Sequence, residues 1–187
     1  MQVARRAGTV AVLAWLAIEI HEAGHWLAYR ALGHSAWLSF QRVTPTGAVP
    51  TAHDFVAKLA GPLVSLTAAA LGLLVARHRP TFGWVTAAFT NASLRLFPLV
   101  MDIIRALRGA RPFSDEGEIG IALGARLGTL VVFLTVAGAL SFFAARLYRF
   151  DRPVPKVALI YLGSFAIGIA TVLADDFLGL NQPPVGK

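Results

Sequence analysis

The pentapeptide His21-Glu22-Ala23-Gly24-His25 lies inside an apolar stretch that runs from residue 10 to residue 29. On a helix, two histidines four residues apart lie on the same face, one turn from each other. That spacing allows both imidazoles to bind a single zinc ion, with the glutamate between them placed to transfer a proton. Because titratable side chains are rare inside apolar membrane helices, we interpret this stretch as the centre of a functional site.

The amino-acid composition is typical of a membrane protein. Of 187 residues, 56% are hydrophobic and 14% are charged, whereas a soluble domain is nearer a quarter charged. Five apolar stretches predict an all-α integral membrane protein. They are residues 9–32, 55–76, 82–107, 119–147 and 157–173. We expect one membrane-embedded domain, residues 1–187, with a core at about 9–140 and an additional C-terminal helix at about 157–173.

Charge and cysteine content restrict the partners of the chain. The formal net charge is +7, and the basic residues fall mostly between the apolar stretches. This pattern suits a lipid bilayer with anionic headgroups, and we expect no nucleic-acid partner. Because the chain has no cysteine, any zinc must bind histidine and carboxylate. We expect a multi-pass protein of a prokaryotic cell membrane.

The segment between the first two apolar stretches is too polar to span a membrane. Residues 36–44 have strand-forming composition, and Pro45, Gly47 and Pro50 follow them. The segment therefore predicts a short β-hairpin or a re-entrant element at the membrane edge, with a plain surface loop as the alternative.

Three punctuating residues predict local features of the helices. Gly61, early in the second span, allows another backbone to approach closely. Pro98 removes a backbone hydrogen bond and should kink the third span. Ser114 precedes three acids and should cap the helix that begins the fourth span.

Two histidines leave a catalytic zinc short of a third protein ligand. The candidates are Asp102, Asp115, Glu116, His34, His53 and His78. Asp102 is favoured because it is an acid within an apolar helix, and because the first and third spans run in the same direction. An ion pair with Arg95 or Arg105 is the alternative role for Asp102. Asp115 is the alternative third ligand, although an acid in a first helical turn is also ordinary in solvent.

These motifs together resemble the site-2 protease family of intramembrane zinc metalloproteases. The His21–His25 helix is similar to that family's first core helix, and Ala60-Gly61-Pro62-Leu63 is similar to its A-G-P-L signature. The third span resembles the helix that carries the family's aspartate ligand. Residues 118–124 resemble the helix that follows, so the resemblance covers about residues 10–140 in the family's order.

The resemblance implies a zinc-dependent endopeptidase that cuts transmembrane protein substrates, with His21, His25 and Asp102 as zinc ligands and Glu22 as the catalytic base. Ile103 and Ile104 follow Asp102 where the family has glycines, and Ser114-Asp115-Glu116-Gly117 is the alternative position of that motif. No inserted PDZ-like or CBS-like domain is visible, which implies a minimal core.

The family unwinds its substrate into an extended segment, so the strand near Phe40 and Val43 could receive that segment by β-addition. Asn91 is a further candidate contact for the substrate. The alternative function is a non-proteolytic membrane scaffold or binding protein of the same fold. A transporter is less favoured, since the chain shows no internal repeat.

Overall fold

The computed structural model describes residues 2–39, 42–148 and 153–177. This part of the chain is mostly helical, with one small hairpin, as the sequence predicts. The elements in chain order are α1 (Gln2–Ala31), β1 (Ala36–Leu38), β2 (Val43–Pro45), α2 (Thr51–His78), α3 (Phe82–Ser93), α4 (Leu96–Leu107), α5 (Asp115–Ala122), α6 (Arg126–Leu147) and α7 (Pro153–Phe177).

Three of the predicted spans have the length and apolarity needed to cross a membrane. Among the described residues they are Thr51–His78, Phe82–Leu107 and Arg126–Leu147. Helix α1 is not in this group, because the ionisable residues of its motif interrupt the apolar run. The last predicted span corresponds to a shorter apolar stretch of α7, Lys156–Thr171.

Helices α1 and α2 approach each other closely at two glycines. A Cβ on Gly24 would lie 3.0 Å from the carbonyl oxygen of Ala60 and 3.0 Å from Cα of Gly61. A Cβ on Gly61 would overlap the imidazole of His25. The glycine of the second span therefore leaves the room that the second histidine of the motif occupies.

The predicted hairpin is present between α1 and α2. Strands β1 and β2 are antiparallel, with Trp37 opposite Thr44 and Leu38 opposite Val43. The indole Nε1 of Trp26 donates a hydrogen bond to the carbonyl oxygen of Ala36 at 3.1 Å, which fixes the hairpin to α1. The predicted substrate contact Phe40 lies outside the described residues.

The third span is kinked, as the sequence predicts, and the kink is a two-residue turn between α3 and α4. Helix α3 ends at Ser93 and α4 begins at Leu96. Pro98 has no N–H to donate to the carbonyl of Leu94, and its ring crowds that carbonyl. The break therefore falls four residues before the proline, at Leu94 and Arg95.

The fourth predicted span is also two helices. Ser114 caps α5 as predicted, because its Oγ accepts a hydrogen bond from the backbone N–H of Gly117 at 3.2 Å. Helix α5 ends at Ala122, and Gly124 adopts φ +66° before α6 begins. A left-handed glycine ends a helix without steric penalty, so residues 119–147 do not form one continuous span.

The helices enclose two buried apolar clusters. One joins α1, α2, α3, α6 and α7; its fully buried members include Ala76 and Ala88. The other joins α4 to α6 through Leu99, Leu130 and Ala137.

Candidate metal centre

Three side chains from two distant parts of the chain converge at one point. Nε2 of His21 lies 3.1 Å from Nε2 of His25, and Oδ2 of Asp115 lies 3.1 Å and 3.2 Å from these two nitrogens. Among the described residues, these are the group of His, Cys, Asp and Glu side chains with atoms close enough to hold one metal ion. Both histidines are buried, at 5% and 6% exposure.

The ligand atoms have the spacing that a tetrahedral zinc site requires. Zinc bonds of about 2.0 Å to nitrogen and oxygen place neighbouring ligand atoms about 3.3 Å apart. The three observed separations of 3.1–3.2 Å are close to that value. A tetrahedron with three protein ligands keeps its fourth position open, so the donor set fits a catalytic zinc better than a closed structural one.

Hydrogen bonds on the far side of each ring orient the histidines. Nδ1 of His25 donates to the carbonyl oxygen of Ala57 at 2.7 Å, which directs Nε2 of the same ring towards His21 and Asp115. Nδ1 of His21 lies 3.2 Å from Oγ of Ser65. Such contacts fix the tautomer and ring plane of metal-binding histidines. Both partners belong to α2, which explains why α1 and α2 must approach closely.

Asp115 is the first residue of α5, and its charge is set by the two histidines. Burial alone would raise the pKa of Asp115, but the hydrogen bonds with His21 and His25 hold that pKa well below its ordinary value. The carboxyl group is therefore ionised at neutral pH, which is the form that binds a metal.

The favoured third ligand, Asp102, does not lie with the histidines. Its carboxylate accepts hydrogen bonds from the backbone N–H of Phe113 (3.0 Å), the N–H and Oγ of Ser114 (3.1 and 2.7 Å) and Nη2 of Arg126 (2.7 Å). Asp102 is completely buried in this arrangement. It fixes the turn before α5 and so carries Asp115 to the histidines. The alternative position of the motif, at Asp115, is the one that the structure brings to them.

The remaining histidines lie away from this cluster. Nε2 of His34 and Nδ1 of His53 are 2.8 Å apart, and this pair joins the loop after α1 to the start of α2. His78 is exposed at the end of α2. Val43 lies in β2 and is half-buried.

A small cavity of about 70 Å³ lies beside His21, and Glu22, Asn91 and Arg95 contribute to its walls. Asn91 is buried; its Nδ2 donates to the carbonyl oxygen of Ala87 at 2.9 Å, while its Oδ1 has no hydrogen-bond partner among the described residues. The cavity can hold a water molecule. Glu22 and Asn91, predicted from the sequence as catalytic base and substrate contact, thus line the same cavity as the candidate ligand His21.

Two charged residues, Arg95 and Glu116, lie beside the centre. Glu116 was a candidate ligand from the sequence, but it does not belong to the group of described residues that could hold one metal ion. Nη1 of Arg95 lies 2.7 Å from Nε2 and 2.8 Å from Nδ1 of His21. The carboxylate of Glu116 is 1% exposed and 3.8 Å from the same Nη1. The signal for Arg95 was the proline three residues later, since a helix break at Leu94 turns this arginine towards α1.

Comparison with models of protein families, with curated proteins and with solved structures found no match.

Proposed function

We propose that this chain is a membrane-embedded zinc endopeptidase of the site-2 protease type. The observation that carries the proposal is the convergence of His21, His25 and Asp115, at tetrahedral spacing, beside Glu22. A histidine pair on one helix with a glutamate between them is the arrangement that zinc peptidases need. The carboxylate that completes it comes from a separate helix, which a chance motif on one helix does not explain.

A membrane location is part of the proposal. Three helices are long and apolar enough to cross a bilayer. Their outer faces expose large apolar side chains, among them Leu71 (58% exposed), Val132 (62%) and Phe142 (58%). Exposed apolar surface of this extent favours contact with lipid or with another apolar partner. The polar centre would then lie below the lipid surface.

Bound zinc would supply a Lewis acid that polarises the substrate carbonyl and makes water more acidic. His21, His25 and Asp115 are the residues that would hold it. Glu22 accepts a proton from the attacking water while the water oxygen bonds to the carbonyl carbon of the substrate. Glu22 then returns that proton to the amide nitrogen, the carbon–nitrogen bond breaks, and an acid and an amine result. Oδ1 of Asn91, which has no hydrogen-bond partner in the described part of the chain, can accept a hydrogen bond from an N–H of the substrate backbone.

Two features indicate the class of substrate: the proposed membrane location and the β1–β2 hairpin. An extended peptide can add to the edge of a two-stranded sheet by main-chain hydrogen bonds. The β1–β2 hairpin is fixed to the motif helix next to Trp26. We therefore propose that a transmembrane segment, unwound at one end, pairs with this hairpin and enters the centre from there.

A scaffold or binding protein without turnover is the second candidate. The observation that favours it is the guanidinium of Arg95 at Nε2 of His21, the nitrogen that zinc requires. The sequence argument for this candidate was the absence of glycines after Asp102. That argument loses weight because Asp102 fixes a turn and has no direct contact with the histidines.

The test is cleavage and zinc content measured on the same protein preparations. The full chain in detergent is incubated with a library of single-span transmembrane peptides, and products are identified by mass spectrometry. Glu22→Gln should keep its zinc and lose cleavage. Glu118→Gln is the matched control, since Glu118 is an acid that pairs with Lys58 at 2.6 Å outside the centre. Zinc binding without cleavage of any peptide by the unmodified protein would favour the scaffold.

A further inference from the structure

Arg95 and Glu116 are two charged groups at the metal centre that the proposed reaction does not use. Arg95 precedes α4 and reaches His21 through Nη1 at 2.7–2.8 Å. Glu116 follows Asp115 in the first turn of α5, and its carboxylate is buried. Neither Oε1 nor Oε2 of Glu116 has a hydrogen-bond partner among the described residues. Its nearest cationic atom there is Nη1 of Arg95, 3.8 Å away.

The position of Arg95 conflicts with a metal ion at His21. A guanidinium is positively charged at any physiological pH and has no lone pair with which to bind a metal. Its Nη1 lies at hydrogen-bond distance from Nε2, the nitrogen of His21 that faces His25 and Asp115. The same Nη1 is 2.8 Å from Nδ1, so the guanidinium lies over the ring, close to both nitrogens, and not in line with one lone pair. A divalent cation held by Nε2 would lie close to this guanidinium, and the two positive charges would repel each other.

The position of Glu116 resolves that conflict. A buried carboxylate is costly unless it is paired and hydrogen-bonded. A shift of about 1 Å would bring the guanidinium from 3.8 Å to the distance of a charge-assisted hydrogen bond. Glu116 also adds a negative charge, so that Glu116 and Asp115 together offset two of the three positive charges of Arg95 and a divalent cation. The site thus has one cationic side chain and two possible partners for it.

We propose that Arg95 and Glu116 form a charge-compensating pair that sets the metal affinity of the centre. A cation at Nε2 of His21 displaces Arg95, and Glu116 receives it. Glu116 is thereby a positioning residue: it binds no metal itself, but it removes a competing positive charge. This inference rests on the metal site of the proposed function and does not depend on catalysis.

The test is zinc affinity, measured on the full chain in detergent by competition with a chromophoric chelator. Glu116→Gln should weaken zinc binding by about tenfold or more, because an uncompensated charge then stays beside the cation. Arg95→Gln should bind zinc more tightly than the unmodified protein. The double variant should recover at least the unmodified affinity, since nothing remains to be displaced. Glu118→Gln, the matched control, should leave the affinity unchanged.

Several results would contradict the proposal that Arg95 and Glu116 compensate each other's charge. Glu116→Gln with unchanged affinity would do so, and so would a double variant that binds no better than Glu116→Gln, because a purely structural role predicts no recovery. If Glu116→Gln does not fold, Arg95→Gln decides alone, and equal or weaker zinc binding by that variant contradicts the proposal. If the variants change zinc affinity as expected but no peptide is cleaved, the Arg95–Glu116 proposal is retained and the proposed peptidase function is rejected. No zinc binding by the unmodified protein would remove both.

Discussion

Replacing Asp102 with asparagine separates a role in folding from a role in metal binding. The carboxylate accepts hydrogen bonds from Phe113, Ser114 and Arg126 and is completely buried. The amide of asparagine cannot accept on both of its terminal atoms, and it leaves Arg126 without an ionic partner. Breaking a buried ion pair from one side costs about 3 kcal/mol or more, so the melting temperature should fall by roughly 10 °C.

The same substitution at Asp115 should have the opposite profile. The side chain of Asp115 is 32% exposed, and its hydrogen-bond partners are the rings of His21 and His25. Asp115→Asn should therefore cost about 1 kcal/mol or less in stability while removing most zinc affinity.

Both variants can be followed by thermal melting in detergent and by zinc content after dialysis. Asp102→Asn should melt early but hold zinc below its melting temperature. If Asp102→Asn melts like the unmodified protein and loses its zinc, Asp102 is a ligand and the reasoning from the turn is wrong.

Three further predictions concern residues that contact the two histidines and one residue of the hairpin. Gly61→Ala should displace the ring of His25, which its Cβ would overlap, and weaken zinc binding with the helical circular-dichroism signal retained; unchanged affinity would contradict the close packing. Ser65→Ala removes the contact with Nδ1 of His21 and should lower zinc affinity about tenfold, by chelator competition. The hairpin's own hydrogen bonds join Ser39 to Arg42 and Ser35 to Thr46, so the N–H of Val43 points to the outer edge of β2. Val43→Pro removes that N–H from the edge where a substrate strand would pair; cleavage should be lost with zinc retained, and persistent cleavage would exclude β-addition.

The first half of the centre could be predicted because helix periodicity is local. Two histidines four residues apart on a helix must share a face, whatever the rest of the chain does. The room for one of them could be anticipated from Gly61, since only a residue without Cβ permits the approach. The hairpin followed from strand-forming residues next to Pro45 and Gly47, and Ser114 followed from the chemistry of helix caps.

The second half depends on tertiary contacts that no local pattern contains. Asp102 and Asp115 are both acids at the correct end of the bundle, and only the hydrogen bonds of Asp102 with the turn before α5 decide between them. The break at Leu94 was within reach of sequence reasoning, because Pro98 affects the carbonyl four residues earlier. A kink at Pro98 itself does not predict that Arg95 approaches α1, whereas a kink at Leu94 and Arg95 does.

The proposed function requires that His21, His25 and Asp115 together hold one zinc ion. Elemental analysis by mass spectrometry of the purified, dialysed chain tests this requirement, with Asp115→Asn compared against Glu118→Gln. We expect one zinc per chain in the unmodified protein and in Glu118→Gln, and little or none in Asp115→Asn. Equal zinc in all three proteins, or none in any of them, would contradict it.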